Sequence, residues 1–318
     1  MLRIVFFGTP EFAVPTLRAL LASAHRVVGV VSQPDRPRGR GQQLQHTPVK
    51  AVALAAGLPV LQPTRLKDEE TLAELRSLRA DLGVVAAYGR ILPEALLAIP
   101  RLGLINVHAS LLPAWRGAAP IHRAVIAGDR ETGVTIMRVV KELDAGAMLA
   151  RATVEIGPDD TSAQLEARLA PRGAALLVDT LAPLEAGTLV EVPQDSARAT
   201  YAARLTREES PIDWARPAAE VHNRVRGLQP WPTAVCAVEG RRVAVLASRP
   251  ASWPTGLPHA EPGTVLEARA DRLLVACGGA SALALLTLQP EGRRAMGVRD
   301  YLAGHRLLAG TRLTTPAA

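Results

Sequence analysis

Residues Leu102–Pro120 read LGLINVHASLLPAWRGAAP, and the fold turns on how this stretch is parsed. It opens as an apolar run, Leu104-Ile105-Asn106-Val107-His108. A strand alternates its side chains between two faces, so Asn106 and His108 share one face while Ile105 and Val107 share the other. A turn punctuated by Pro113 and Gly117 follows, and Ala118-Ala119-Pro120 opens a helix. Polar residues at the carboxyl end of a strand stand where α/β proteins bind ligands. A single buried Asn or His is usually satisfied by backbone. Two on one face, running into a Pro- and Gly-marked turn, point to a site.

Outward from this stretch, the same texture repeats. Ile4–Phe7, Val27–Val31 and Leu82–Ala87 are further short apolar runs, and Phe12–Leu21, Val49–Ala56 and Glu69–Leu78 carry helical spacing between them. Continuous apolar strands alternating with helices imply an α/β fold, a Rossmann-like, doubly wound, mostly parallel sheet covered on both faces. Gly133–Val139 and Met148–Ile156 are expected to pair antiparallel at its edge, joined by a turn at Leu143–Ala147 that carries Asp144. A dinucleotide fingerprint after the first strand would need GxGxxG; Pro10 and Ala13 stand where its second and third glycines belong, which argues against NAD or FAD. Thr161-Ser162-Ala163-Gln164 is a capping box for a helical region that Pro171 should interrupt. From Pro230 the pattern turns to five short strands, the signature of a small OB-like barrel, a fold that commonly binds nucleic acids. The expected organisation is a domain over 1–188, a linker over 189–208 and a β-rich domain over 209–318.

The 318 residues are 48% hydrophobic, with no apolar run long enough to span a membrane. Cys236 and Cys277 form no CxxC pair, and the seven His show no HExxH, so neither a disulfide framework nor a bound metal is expected, and a reducing, cytoplasmic setting is. The formal net charge is +7, spread over both halves, and is compatible with a polyanionic partner. Its densest expression is the loop-like stretch Gln33–Lys50, QPDRPRGRGQQLQHTPVK, where Arg36, Arg38, Arg40 and Lys50 face one acid, Asp35. Arginine is suited to phosphate, and the loop reads equally as a phosphate contact or as a solvated surface segment.

Asn106, His108 and Asp144 suit transfer between two bound substrates. Ser110 lacks a GxSxG elbow and no nucleophile with a matching base is evident, so the attacking group must come from the acceptor. Asn and protonated His can donate to a developing oxyanion, and His can move protons near neutrality. A nearby carboxylate would orient the ring. This is an acyl-transfer pattern.

Asn106-Val107-His108, Ser110–Pro120 and Leu143-Asp144 resemble the formyltransferases that use 10-formyltetrahydrofolate. Phe7–Phe12, Gln33–Pro37 with Gly39–Gly41, Ile212–Trp214, Pro230–Pro232 and Leu288–Gly292 resemble the branch whose acceptor is methionyl initiator tRNA. The resemblance runs in order through essentially the whole chain. It implies Asn106, His108 and Asp144 as the catalytic trio. It implies folate binding by Ser110, Leu111, Leu112 and Pro113 with Arg90, Ile91 and Leu92. It implies tRNA contacts by Arg40 in the basic loop and by Arg204 and Arg207 in the linker, and the neighbouring Arg36 and Arg38 are expected to join Arg40 on the tRNA. It further implies a monomer in the cytoplasm, a folate co-substrate and no metal. The family pattern Leu-Asp-Thr-Gly-Asp is here Leu143-Asp144-Ala145-Gly146-Ala147, which removes a side-chain oxygen and a second carboxylate from the turn. The alternatives are formylation of a nucleotide-linked amino sugar and a catalytically silent tRNA-binding homologue.

Overall fold

The computed structural model describes residues 1–38 and 43–316. The chain divides into two compact units: Met1–Pro120 with Glu131–Glu155 and Glu166–Ala202, and Ile121–Arg130 with Ile156–Leu165 and Ala203–Ala318.

In the first unit the strands are β1 (Arg3–Gly8), β2 (Arg26–Val31), β3 (Arg36–Arg38), β4 (Gln43–Gln45), β5 (Val60–Leu61), β6 (Leu82–Ala86), β7 (Leu104–His108), β8 (Arg116–Gly117), β9 (Glu131–Arg138), β10 (Met148–Glu155) and β11 (Tyr201–Ala202). The helices are α1 (Val14–Leu21), α2 (Pro48–Ala55), α3 (Glu69–Ser77) and α4 (Glu94–Leu97); α5 (Pro120–Ala127) and α6 (Ser162–Glu185) cross the boundary between units. Seven strands form one sheet in the order β10-β9-β7-β6-β1-β2-β5. Its pairings are parallel from β7 through β5, and β9 and β10 add antiparallel at the β7 edge. This is the doubly wound sheet that the alternation of strands and helices predicts. Strand order reverses between β1 and β6, so the loops after β1, β6 and β7 open on one crevice edge.

Packing decides which way β7 faces. Leu104 joins Val5, Phe7 and Val85 in a core closed by Leu72, Leu75 and Leu96 of α3 and α4. Its face-mates Asn106 and His108 therefore lie on that side, beyond the end of the apolar layer. On the opposite face α6 comes in at Gly173, where a Cβ would stand 2.7 Å from Val107 Cγ1. The helix runs unbroken through Pro171, where the sequence suggests an interruption. Its buried ridge of Leu165, Leu169, Leu177 and Leu181 outweighs the cost of about 3 kcal/mol for an interior proline. Gln33–Lys50 also contains more structure than its composition indicates. β3 pairs with β4 antiparallel, and Pro48 begins α2, with Thr47 Oγ1 accepting from Lys50 N at 3.2 Å. Proline at the first helical position loses no intrahelical bond.

The second unit carries α7 (Ala218–Gly227), β12 (Ala234–Val238), β13 (Arg241–Ala251), β14 (Val265–Arg269), β15 (Arg272–Cys277), β16 (Ser281–Pro290), β17 (Met296–Gly297) and α8 (Val298–Gly304). The sheet order is β12-β13-β16-β15-β14, antiparallel throughout, with β17 beside β16. Its two open edges are joined by the C-terminal tail. Arg312 bridges Thr264 beside β14, and Thr314 bridges Ala237 in β12. The tail thus covers both edges that an open five-stranded sheet would expose.

Candidate active site

The site is built where β7 ends. His108 lies opposite Thr135 of β9 and is 5% exposed. Its Nε2 is 3.0 Å from the Trp115 carbonyl oxygen. A carbonyl only accepts, so Nε2 carries the hydrogen of that bond. Nδ1 is then the nitrogen free to exchange a proton, and it faces Asp144 Oδ2 at 3.6 Å. That separation is longer than a hydrogen bond, so Asp144 acts on the ring through its charge. Trp115 and Asp144 both adopt left-handed backbone, at φ 62° and 48°. This conformation is uncommon outside glycine, and here it places both groups that face His108. Asn106 is half-buried two residues back on the same face. Its side-chain amide has no protein hydrogen-bond partner among the described residues, which leaves its donors available.

The Asp144 carboxylate is fixed by Gly117, whose N–H donates to Oδ2 at 2.9 Å. Gly117 has φ 120°, and a Cβ there would stand 2.9 Å from the Ala202 carbonyl oxygen, so only glycine suits this position. The turn backbone is held from outside. Gln194 Nε2 donates to the carbonyls of Asp144 and Gly146, each at 2.8 Å, while its Oε1 accepts from Arg116 Nε at 3.0 Å. Arg116 is 4% exposed, and its Nη2 has no hydrogen-bond partner among the described residues. The segment carrying Gln194 pairs with the start of β10 through Val192 and Met148, and β11 runs parallel to β8.

The remaining expected residues fall on four segments. Ser110 and Leu112 are fully buried, and the Ser110 hydroxyl donates to Ala114 O at 2.6 Å. What that segment can offer a ligand is therefore the half-buried Leu111 and Pro113. After β6, Arg90 donates to the carbonyls of Pro63 and Thr64 at 3.0 and 2.9 Å, which pins the loop; Leu92 is 9% exposed, and Ile91 is left 83% exposed despite being apolar. Arg36 is exposed on β3, and Arg38 ends that strand. Arg40 lies outside the described residues. Arg204 and Arg207 are exposed in the second unit. Among the described residues, no helix is long and apolar enough to cross a membrane.

The formyl transferase family matches residues 2–181, and the formyl transferase C-terminal domain matches residues 204–306. The methionyl-tRNA formyltransferase of Methylococcus capsulatus is 50% identical over 314 residues, covering 99% of this chain and 100% of that protein. The chain belongs to the methionyl-tRNA formyltransferase family. The family member from Thiobacillus denitrificans is 50% identical over 312 residues, covering 98% of this chain and 99% of its own. Among solved structures, an N-formyltransferase from Helicobacter canadensis, crystallised with folinic acid and dTDP-3-aminofucose, superposes with TM-score 0.69 at 17% identity, over 91% of this chain and 100% of its own. That likeness is one of fold. The sequence does not single out Gln194, because its approach to Asp144 spans 50 residues and follows no motif.

Proposed function

We propose that this chain transfers a formyl group from 10-formyltetrahydrofolate to the α-amino group of methionine on initiator tRNA, for translation initiation. The observation that carries this reading is His108 Nδ1 facing a fixed Asp144 carboxylate at 3.6 Å, in a chain about half identical to methionyl-tRNA formyltransferases along its length. The acceptor amine, with a pKa of about 7.7–8.0, attacks the formyl carbon in its neutral form. The C–N bond to the methionine nitrogen forms, and the carbonyl oxygen becomes an oxyanion. Asn106, whose amide is unclaimed among the described residues, donates to that oxygen. His108 Nδ1 takes the proton released by the attacking nitrogen, and the Asp144 charge offsets the imidazolium. The proton then passes to N10 of the folate as the C–N10 bond breaks. Asn106 and His108 are same-face residues about 6–7 Å apart along a strand, which leaves room for a formyl group between them.

In this reading Leu111, Pro113 and Ile91 wall the folate, Ser110 and Leu112 shape that wall from behind, and Arg90 and Leu92 hold the facing loop. Arg36, Arg38 and Arg40 meet the tRNA backbone from the first domain (1–188). Arg204 and Arg207 meet it from the linker (189–208), and the β-rich domain (209–318) extends the tRNA surface. The enzyme works as a cytoplasmic monomer. Acceptor competition tests it: with 10-formyltetrahydrofolate as donor, charged initiator tRNA should be formylated and a nucleotide-linked amino sugar should not compete. Preferential formylation of the amino sugar overturns the acceptor. tRNA binding without turnover overturns the enzyme.

A further inference from the structure

The turn that presents Asp144 has an unusual construction. Leu143, Ala145, Gly146 and Ala147 carry no polar side-chain atom, so the turn cannot fasten its own backbone through its side chains. Asp144 nevertheless holds left-handed backbone, which L residues with a Cβ disfavour. Something outside the turn must hold it, and one side chain meets the requirement. Both amide hydrogens of Gln194 are used on the turn, at the Asp144 and Gly146 carbonyls. Its oxygen is used on the Arg116 guanidinium. With donors and acceptor all committed, the amide has one orientation.

Arg116 closes the circuit. The next residue, Gly117, donates its N–H to the Asp144 carboxylate, so one dipeptide grips the side chain directly and the backbone through Gln194. Arg116 is buried without an acidic partner among the described residues, and one of its Nη atoms is unpaired. Burying a cation this way is costly and serves no packing need that an apolar residue would not meet better. What it does achieve is orientation, since a guanidinium against the Gln194 oxygen leaves only the amide nitrogen to face the turn.

We propose that Gln194 is the positioning residue for the Asp144 carboxylate, and that Arg116 sets Gln194 in that orientation. The inference rests on the reading of Asp144 as the charge facing His108 during transfer. It gives the turn a fastening that the side chains of Leu143, Ala145, Gly146 and Ala147 do not provide.

The test is steady-state formylation of charged initiator tRNA by the full chain. The variants are Gln194→Met, Gln194→Glu and Arg116→Lys, each made in the native and the Asp144→Asn backgrounds, with thermal unfolding midpoints measured alongside. Gln194→Met keeps the side-chain length but removes the donors. It should lower kcat by about 10- to 100-fold, the usual penalty for a displacement near 1 Å. The KM for each substrate should stay within about threefold, since only the transfer step is affected. In the Asp144→Asn background the same change should cost less than about threefold, because Gln194 acts through Asp144. Gln194→Glu, with a carboxylate facing two carbonyls, should be at least as impaired as Gln194→Met. Arg116→Lys retains the buried cation and should give a smaller loss of the same kind, which keeps the test open if Gln194→Met unfolds. Equal fold-losses in both backgrounds, or an undiminished kcat in Gln194→Met beside an impaired Asp144→Asn, overturn the inference alone. A near-normal rate in Asp144→Asn overturns the reading of Asp144 and the inference with it.

Discussion

Gly146→Ala adds one methyl group to the turn that carries Asp144. A Cβ at position 146 would stand 2.8 Å from the Arg138 carbonyl carbon and closer still to its oxygen. Carbon atoms pack at about 3.5–4.0 Å, so the turn must retreat by roughly 1 Å. Arg138 cannot yield easily, because it is the last residue of β9 and its N–H donates to the Ala147 carbonyl at 2.9 Å. The same retreat would stretch the 2.9 Å bond from Gly117 N–H to the carboxylate beyond hydrogen-bonding range. A hydrogen bond to a charged group contributes about 1.5–3 kcal/mol. If that stabilisation of the productive geometry is lost, transfer slows by about 10- to 100-fold, at 1.4 kcal/mol per decade. Overpacking should also lower stability by about 1–3 kcal/mol. Backbone strain is not at issue, since Gly146 is not among the positive-φ residues. The assay is single-turnover formyl transfer with saturating donor, beside urea unfolding. Gly297→Ala, at a position with open space, serves as the neutral control. A Gly146→Ala rate within about threefold of wild type would refute the claim that this turn aims the working carboxylate.

Asp144→Asn removes a charge 3.6 Å from His108 Nδ1, worth about 4–5 kcal/mol at an effective dielectric of 20. Partial exposure of Asp144 screens some of this, and single-turnover transfer should fall by about 10²- to 10³-fold; a loss below tenfold contradicts the electrostatic role. Arg36→Ala should weaken tRNA binding and reduce the slope of log K against log salt by about 1 while sparing folate affinity, measured by titration at several salt concentrations; an unchanged slope returns that residue to the solvated surface. Burial holds the His222 ring below its ordinary pKa, although the Pro158 carbonyl and Asp159 pull the other way. The folded state then binds fewer protons than the unfolded chain, so this contribution to stability is complete above about pH 6.5 and is lost as pH falls through the lowered folded value. Urea midpoints taken from pH 7.5 downward should therefore decline, and His222→Gln should flatten the decline; an identical profile in the variant contradicts it. Burial pushes both thiols, Cys236 and Cys277, up to about 12, so neither should react with a thiol reagent at pH 8 until the protein is unfolded.

The sheet and the shared face of Asn106 and His108 were legible in the sequence because their signals are local. β7 shows period-2 placement of Asn106 and His108, and the strand runs of the parallel sheet are continuously apolar. What was not legible depends on approach between distant segments. Gln194 meets Asp144 only because the chain after α6 returns along β10, and no spacing rule announces that. The tail that bridges Thr264 and Ala237 sits among small and polar residues, yet it covers both edges of the second sheet. Pro171 misdirects, whereas Pro48 does not. Pro171 is tolerated inside α6 by the burial of a leucine ridge, while Pro48 opens α2 one residue before the helical spacing expected from Val49. Ser110 sits in the motif most diagnostic of the site, but its hydroxyl is spent on Ala114, a detail that a residue type alone does not reveal.

Formylation of the methionine on initiator tRNA from a folate donor is the reaction proposed for this chain. It is tested most directly by timed transfer of a labelled formyl group from 10-formyltetrahydrofolate, with charged initiator tRNA and charged elongator methionyl-tRNA supplied in parallel. Rapid labelling of the initiator species, little labelling of the elongator, and loss of both with His108→Ala is the predicted result. Equal labelling of the two tRNAs, or labelling that survives His108→Ala undiminished, would contradict the account.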